Sequence, residues 1–412
     1  MLINLRWVAP ILILTGLGGP VSADVITDWN EKAIAFVMKH RMLPPQAERV
    51  VASVQLAMFD AVNSVERRYR PYRLAVTTAK ETSQEAAAAV AAGMVLAGLH
   101  PNETEELNSV MGAYLAAIPP GTAKSEGIKV GQEVAAKIVA ERKVDGADAP
   151  DAYRPKTRPG VYVPTPITAS SMWPNVKPFA MTSPSQFRPQ PPIPLAGEEW
   201  AADYNEIRNL GGKNSIKRTA RQSEDGRFWL ITGPASYYPI VRQLVVAKKM
   251  DVIDSARFMA LASTAAADAY IAVFDAKYHY DFWRPITAIR NGDIDDNPAT
   301  GLDAIWQPID NTPMHPEYPC AHCITSAAVA AVIEAALGGA DIPEVSMISP
   351  TAPGVTHRWT NVWVYADEVS MARIYASFHY RFSIRVGQDM GRKIGRLVVQ
   401  ELMQKTNLAD VR

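Results

Sequence analysis

The sequence predicts an all-α protein, and three observations carry that reading. Apolar residues recur at three- and four-residue intervals in one segment after another. No stretch sustains period-two alternation, and no internal repeat of fixed period is visible. Prolines are concentrated in one middle stretch, where 12 of the chain's 31 fall within residues 150–194. The chain has 412 residues, 48% of them hydrophobic and 20% charged, which is enough apolar material to bury a large core. Lysine plus arginine and aspartate plus glutamate number 42 each, so net charge is zero. That balance excludes a nucleic-acid binder with a broad basic face. Two cysteines exclude a disulfide framework. No haem-attachment or paired zinc-ribbon spacing is present.

Residues 1–23 read as a signal peptide. A short basic region ends at Arg6, an apolar stretch runs from Trp7 to about Leu17, and Val21-Ser22-Ala23 fits the small-residue cleavage rule. The apolar run is too short to span about 30 Å of hydrocarbon. The expected mature protein is exported, to a periplasm or the medium, with no stable membrane span. Residues 24–148 form an N-terminal helical region. Pro44-Pro45 suits the first turn of the helix that follows, residues 84–99 are alanine-rich, and Asn102 with Glu105 reads as a capping box. Residues 149–195 are too rich in proline for continuous helix or central strand. Tyr153, Tyr162, Trp173, Phe179 and Phe187 make this stretch an ordered segment wrapped over the helical body. Helical patterns resume over residues 196–412, with 255–278 the longest, then 322–337, 365–378 and 384–404. The alanine-rich helices suit internal packing and homo-oligomer faces equally.

The chemistry concentrates in the second half. Five of seven histidines (His279, His315, His322, His357, His379) and both cysteines, Cys320 and Cys323, fall within residues 279–379. Three patches stand out. In KYHYDFWRP, Lys277 and Arg284 are seven apart, and Pro285 ends any helix before Arg284. A basic pair embedded in aromatics calls for a counter-anion. In HPEYPCAHC, two prolines force an extended approach to a helix starting near Cys320, whose free N–H groups and dipole suit an anion. His322 stands in its first turn. In RIYASFHYRFS, Arg373 and His379 are six apart, about 240° on a helix, so they meet only if the helix ends near His379 or the arginine wraps.

Together these patches resemble the superfamily that joins vanadium-dependent haloperoxidases with type 2 phosphatidic-acid phosphatases and bacterial acid phosphatases. The family pattern of a lysine, six residues and Arg-Pro matches Lys277 to Pro285. Its Pro-Ser-Gly-His corresponds to Pro319-Cys320-Ala321-His322, and its arginine, five residues and a histidine to Arg373 and His379. The resemblance implies a helical bundle with one tetrahedral-oxyanion pocket. In it Lys277, Arg284 and Arg373 neutralise the oxygens, the Ala321 backbone N–H adds a donor, and His322 is the acid–base residue. His379 binds vanadium in a haloperoxidase, with vanadate as cofactor and hydrogen peroxide and halide as substrates. In a phosphatase, which takes a phosphate ester without a metal, it carries a phosphohistidine. His315 lies where chloroperoxidases of the fungal type have Phe and bromoperoxidases have His, which favours bromide. A degenerate oxyanion-binding protein is the remaining alternative within the family.

One departure matters. Cys320 replaces the family serine, and a thiol is a weaker, larger donor to an oxyanion. Cys320 and Cys323 also spell C-x-x-C, which allows a short disulfide, a thiol–disulfide oxidoreductase, or a zinc site with His315 or His322. No βαβ pattern accompanies the redox motif, and no second ligand cluster accompanies the zinc reading.

Overall fold

The computed structural model describes residues 24–164 and 167–406. The leader assigned to residues 1–23 lies outside them. Among the described residues, thirteen α-helices follow one another: α1 (Val25–Lys39), α2 (Pro44–Glu66), α3 (Gln84–Leu99), α4 (Thr104–Ala116), α5 (Thr122–Arg142), α6 (Glu198–Gly211), α7 (Ala220–Phe228), α8 (Tyr238–Ala247), α9 (Val252–Tyr280), α10 (Pro285–Arg290), α11 (Ala321–Leu337), α12 (Val362–Tyr375) and α13 (Arg381–Glu401). The fold is helical, as the periodicity predicts. An antiparallel hairpin, β1 (Asp341–Ser349) with β2 (Ala352–Asn361), sits between α11 and α12 and was not foreseen. Only the end of β2 alternates clearly, with His357 and Trp359 buried and their neighbours exposed. β1 is irregular because its register shifts twice.

Helix α9 is the axis. Asp251 caps it by accepting from the Asp254 N–H at 2.9 Å, and Asp281 ends it in the left-handed region at φ 55°. By length and composition it could cross a membrane, yet its apolar stretch is wholly buried inside the protein. Helices α2, α11 and α13 pack against it. Small residues allow the closest approaches. Gly387, Gly391 and Gly395 recur every four residues on α13 and face α11. A Cβ at Gly387 would lie 2.7 Å from the Cys320 carbonyl oxygen, and one at Gly391 would collide with that of Ile324. This seam fixes α11, and with it the start of α11 where His322 sits.

The proline-rich stretch is held by side chains that replace the hydrogen bonds a regular element would make. Asp268, buried in α9, accepts the backbone N–H groups of Phe179, Ala180 and Met181 at 2.7, 2.8 and 2.9 Å. Arg188 forms a two-pronged pair with Asp275 at 2.7 and 2.8 Å. Tyr162, Trp173 and Phe179 are buried, whereas Tyr153 and Phe187 are half-buried.

The capping box at Asn102 does not form. Pro101–Glu103 makes a 3₁₀ turn, so α4 starts at Thr104 behind Glu103, which provides no side-chain cap. The proline there nucleates the tighter turn and draws Asn102 into it.

Gly391→Ala should destabilise the chain by about 1–3 kcal/mol or more, because the added methyl meets backbone that cannot yield. Gly112→Ala on α4 meets nothing within 4 Å and should stabilise by up to about 1 kcal/mol. Urea unfolding of both variants checks the pair.

Candidate oxyanion site

The site forms where three chain breaks converge. Helix α9 stops at Tyr280, and Arg284 takes extended geometry (φ −78°, ψ 153°) ahead of Pro285. Helix α12 stops at Tyr375. The turn through Ser377, at φ 76°, brings the N–H groups of Phe378 and His379 onto the Arg373 carbonyl at 2.9 and 3.3 Å. This turn is what lets Arg373 and His379 meet despite their spacing. Helix α11 begins at Ala321 behind Cys320 as N-cap.

A cavity of about 400 Å³ is lined by His315, Ala321, His322, Arg373 and His379, with Leu43, Phe274 and Phe378 among its apolar walls. Arg284 reaches this group from behind. Its Nε donates to the His315 carbonyl at 2.8 Å, and Nη1 donates to the Phe378 carbonyl at 3.0 Å and lies 3.5 Å from His379 Nε2. Its Nη2 is 2.9 Å from His315 Nδ1, which accepts. Arg373 is 2% exposed; Nη1 donates to the Trp229 carbonyl at 2.5 Å, and its Nε has no partner. Burial lowers both guanidinium groups to about 10, so both stay charged at neutral pH.

Lys277 sits differently from the expectation. Its Nζ donates to the carbonyls of Pro316, Glu317 and Pro319 at 3.0, 2.6 and 2.5 Å. Three acceptors match the three donors of an ammonium group, so Lys277 clamps the loop leading into α11 and spends its N–H groups there. Burial, with Arg284 nearby, pulls its pKa well down.

The sequence reading missed Glu317. This carboxyl is fully buried; Oε1 accepts from His379 Nδ1 at 2.7 Å and from the Tyr380 N–H at 3.1 Å. Donating from Nδ1 leaves the Nε2 of the neutral His379 ring without a proton and turned toward Arg284. Burial raises Glu317 to about 7 against the pull of Lys277 and Arg284. Its place between Pro316 and Pro319 in the HPEYPCAHC patch was visible in the sequence, but nothing there recorded its pairing with His379.

His322, in the first turn of α11, donates from Nε2 to the Ile231 carbonyl at 3.0 Å. The pKa values of His315, His322 and His379 are all driven well down by burial, then by the surrounding cations. The five-histidine grouping separates in space. His279 is exposed, and His357 belongs to a cluster with Glu224, Asp225 and Glu368.

Cys320 and Cys323 are joined as a disulfide. Cys320 is buried, and its sulfur accepts from the Cys323 N–H at 3.3 Å. It has no S–H to offer an oxyanion, so the donor expected at this position is absent. The disulfide also removes the free thiolates that a zinc site would use.

These features define a class: a helical bundle that gathers guanidinium groups, imidazoles and a helix N-terminus on one buried cavity. Comparison with known proteins narrows it. Residues 257–407 match the family described as the vanadium chloroperoxidase second helical-bundle domain. The vanadium chloroperoxidase of Curvularia inaequalis is 26% identical over 282 residues, which cover 52% of this chain and 46% of that protein. The alignment therefore spans about half the length of that curated relative. The crystal structure of the first bacterial vanadium-dependent iodoperoxidase superposes with a TM-score of 0.78 at 24% identity, covering 93% of this chain and 97% of that one. A holo-type bacterial vanadium-dependent chloroperoxidase superposes with a TM-score of 0.66 at 16% identity, covering 87% and 92%. Residues 257–407 thus resemble that second helical-bundle domain, and the described chain shares the helical fold of the bacterial vanadium-dependent peroxidase structures.

The pKa directions carry a sign. A histidine whose folded pKa is depressed contributes stability above its unfolded value, 6.5, that is lost as pH falls toward the folded value. His322→Gln should therefore flatten the decline of stability between about pH 6.5 and 5 relative to the parent chain. Denaturant titrations of both proteins across that range check it, and parallel curves would contradict it.

Proposed function

We propose that this chain is an exported vanadium-dependent haloperoxidase that oxidises halide with hydrogen peroxide. The observation that carries the reading is the His379–Glu317 pair beside Arg284 and Arg373. A buried imidazole is held with Nε2 unprotonated, next to a guanidinium group with an unpartnered Nε. That donor set fits a tetrahedral oxyanion such as vanadate. His379 would hold it through Nε2, while Arg284, Arg373 and the Ala321 N–H would hold its oxygens. Bound vanadate supplies a Lewis-acid centre that activates peroxide toward halide.

The protein's own contributions follow from the geometry. Arg284 and Arg373 present fixed positive charge in a dry cavity, where it needs no reorganisation during reaction. Glu317 holds the proton on His379 Nδ1 and keeps the ring aimed. His322 is the proton-transfer residue. Its pKa is low when the cavity cations face it alone, and an anion seated among them would raise it into the working range. Lys277 acts through the loop it clamps, adding charge behind Glu317. Leu43, Phe274 and Phe378 exclude water from the reacting side. Neutral His315, at the cavity wall beside Arg284, is the group placed to tune halide choice, and its identity favours bromide. Iodide is the second halide to test, because the iodoperoxidase structure is among the similar folds. The Cys320–Cys323 disulfide supports export, since such bonds persist in oxidising compartments.

Residues 24–412 should oxidise bromide or iodide with peroxide only when orthovanadate is added. His379→Ala should abolish that activity. Halide oxidation by the variant at near-parental rate would remove His379 from its assigned role. Vanadate-independent cleavage of a phosphate ester by the parent chain, with no halide oxidation, would replace this function with an acid phosphatase. Orthovanadate binding without either activity would leave an oxyanion-binding protein.

A further inference from the structure

We infer that Glu224, Asp225 and His357 form a second site, for a divalent first-row transition cation such as zinc or manganese, separate from the oxyanion cavity. One ligand atom from each residue lies within 4.8 Å of the others. His357 is 2% exposed, and its Nε2 has no hydrogen-bond partner. That nitrogen points at the carboxylates, 3.5 Å from Glu224 Oε1 and 3.9 Å from Asp225 Oδ1.

The other side of the ring is built as metal-binding imidazoles usually are. Nδ1 lies 2.6 Å from Glu368 Oε1, and Glu368 in turn accepts the indole N–H groups of Trp229 at 3.0 Å and Trp359 at 3.2 Å. A carboxylate on Nδ1 fixes the tautomer that leaves Nε2 free to ligate. The ring is further held by stacking on Phe228, with centroids 3.9 Å apart and planes 2° off parallel. One imidazole and two carboxylates suit a borderline divalent ion, with water completing its shell. Glu224 is 38% exposed in its side chain and opens the site to solvent.

Charge favours a cation as well. Glu224, Asp225 and Glu368 gather three carboxylates around one guanidinium group. Arg221 lies 3.1 Å from Glu224, 2.8 Å from Asp225 and 3.4 Å from Glu368. Its side chain is 58% exposed, so it can swing out to solvent when an ion enters. A bound ion would join the end of α7 to β2, and through Glu368 to α12. The same stretch of chain carries the Trp229 and Ile231 carbonyls that hold Arg373 and His322. The site is thus a structural clamp behind the oxyanion cavity.

The test uses the full mature chain, stripped with chelator and titrated with Co²⁺ and Zn²⁺ by calorimetry, with Co²⁺ ligand-field absorption as the spectroscopic readout. The parent should bind one ion, and its melting temperature should rise with the metal. Glu224→Gln/Asp225→Asn should weaken binding at least tenfold and abolish the thermal shift. Arg221→Ala should tighten binding severalfold, because it removes the resident competitor. If the double variant does not fold in chelator, Glu224→Gln alone, at the more exposed ligand, serves with the same tenfold criterion. Binding equally weak in parent and carboxamide variants, with no response to Arg221→Ala, would overturn the site.

Discussion

The constraint on which the site depends is the burial of three cations in an apolar helical bundle. Lys277, Arg284 and Arg373 are each 2% exposed or less. Charge at such depth is unfavourable unless it is hydrogen-bonded and balanced. The protein meets that demand largely with backbone. Lys277 takes three carbonyls of one loop, Arg284 takes the carbonyls of His315 and Phe378, and Arg373 takes that of Trp229. Each of these carbonyls is free because it lies in a segment without regular structure. The breaks at 229–231, 315–320 and 376–379 are therefore requirements of the charge distribution. Glu317 is the buried carboxylate within the group, and its partner is His379.

This arrangement leaves Arg373 at the cavity wall, with Arg284 and Lys277 behind it and Glu317 as their buried counter-charge. It also explains why the histidines there stay neutral. Burial first, and then the positive field of the neighbouring cations, lowers the pKa of His315, His322 and His379. Anion entry and proton uptake are coupled through one electrostatic field.

The fold class was legible because the long helices keep a strict period. Pro285 and the paired prolines 316 and 319 showed where helices had to stop. The hairpin 341–361 was not legible, since its register shifts break the alternation and only His357 and Trp359 mark a buried face. At the site, resemblance to the family pattern, rather than spacing alone, singled out Arg284, His322, Arg373 and His379. It could not show that Lys277 would turn to the loop, because which carbonyls become available depends on how the breaks fold in three dimensions. Glu317 was hidden for the same reason. Its role depends on His379, 62 residues away, and no local pattern records a pairing at that distance. The disulfide was one of several readings that C-x-x-C allowed, and it is the bond the folded chain makes.

The most direct test of this account is calorimetric titration of residues 24–412 with orthovanadate, repeated on Arg373→Met and Glu317→Gln. The account predicts one site in the parent. It predicts loss of most affinity in Arg373→Met, where the guanidinium with the unpartnered Nε is removed. A smaller loss is expected in Glu317→Gln, where the imidazole is no longer held by a carboxylate. Equal affinity in all three proteins would contradict it, because the oxyanion would then be bound somewhere other than among the buried cations.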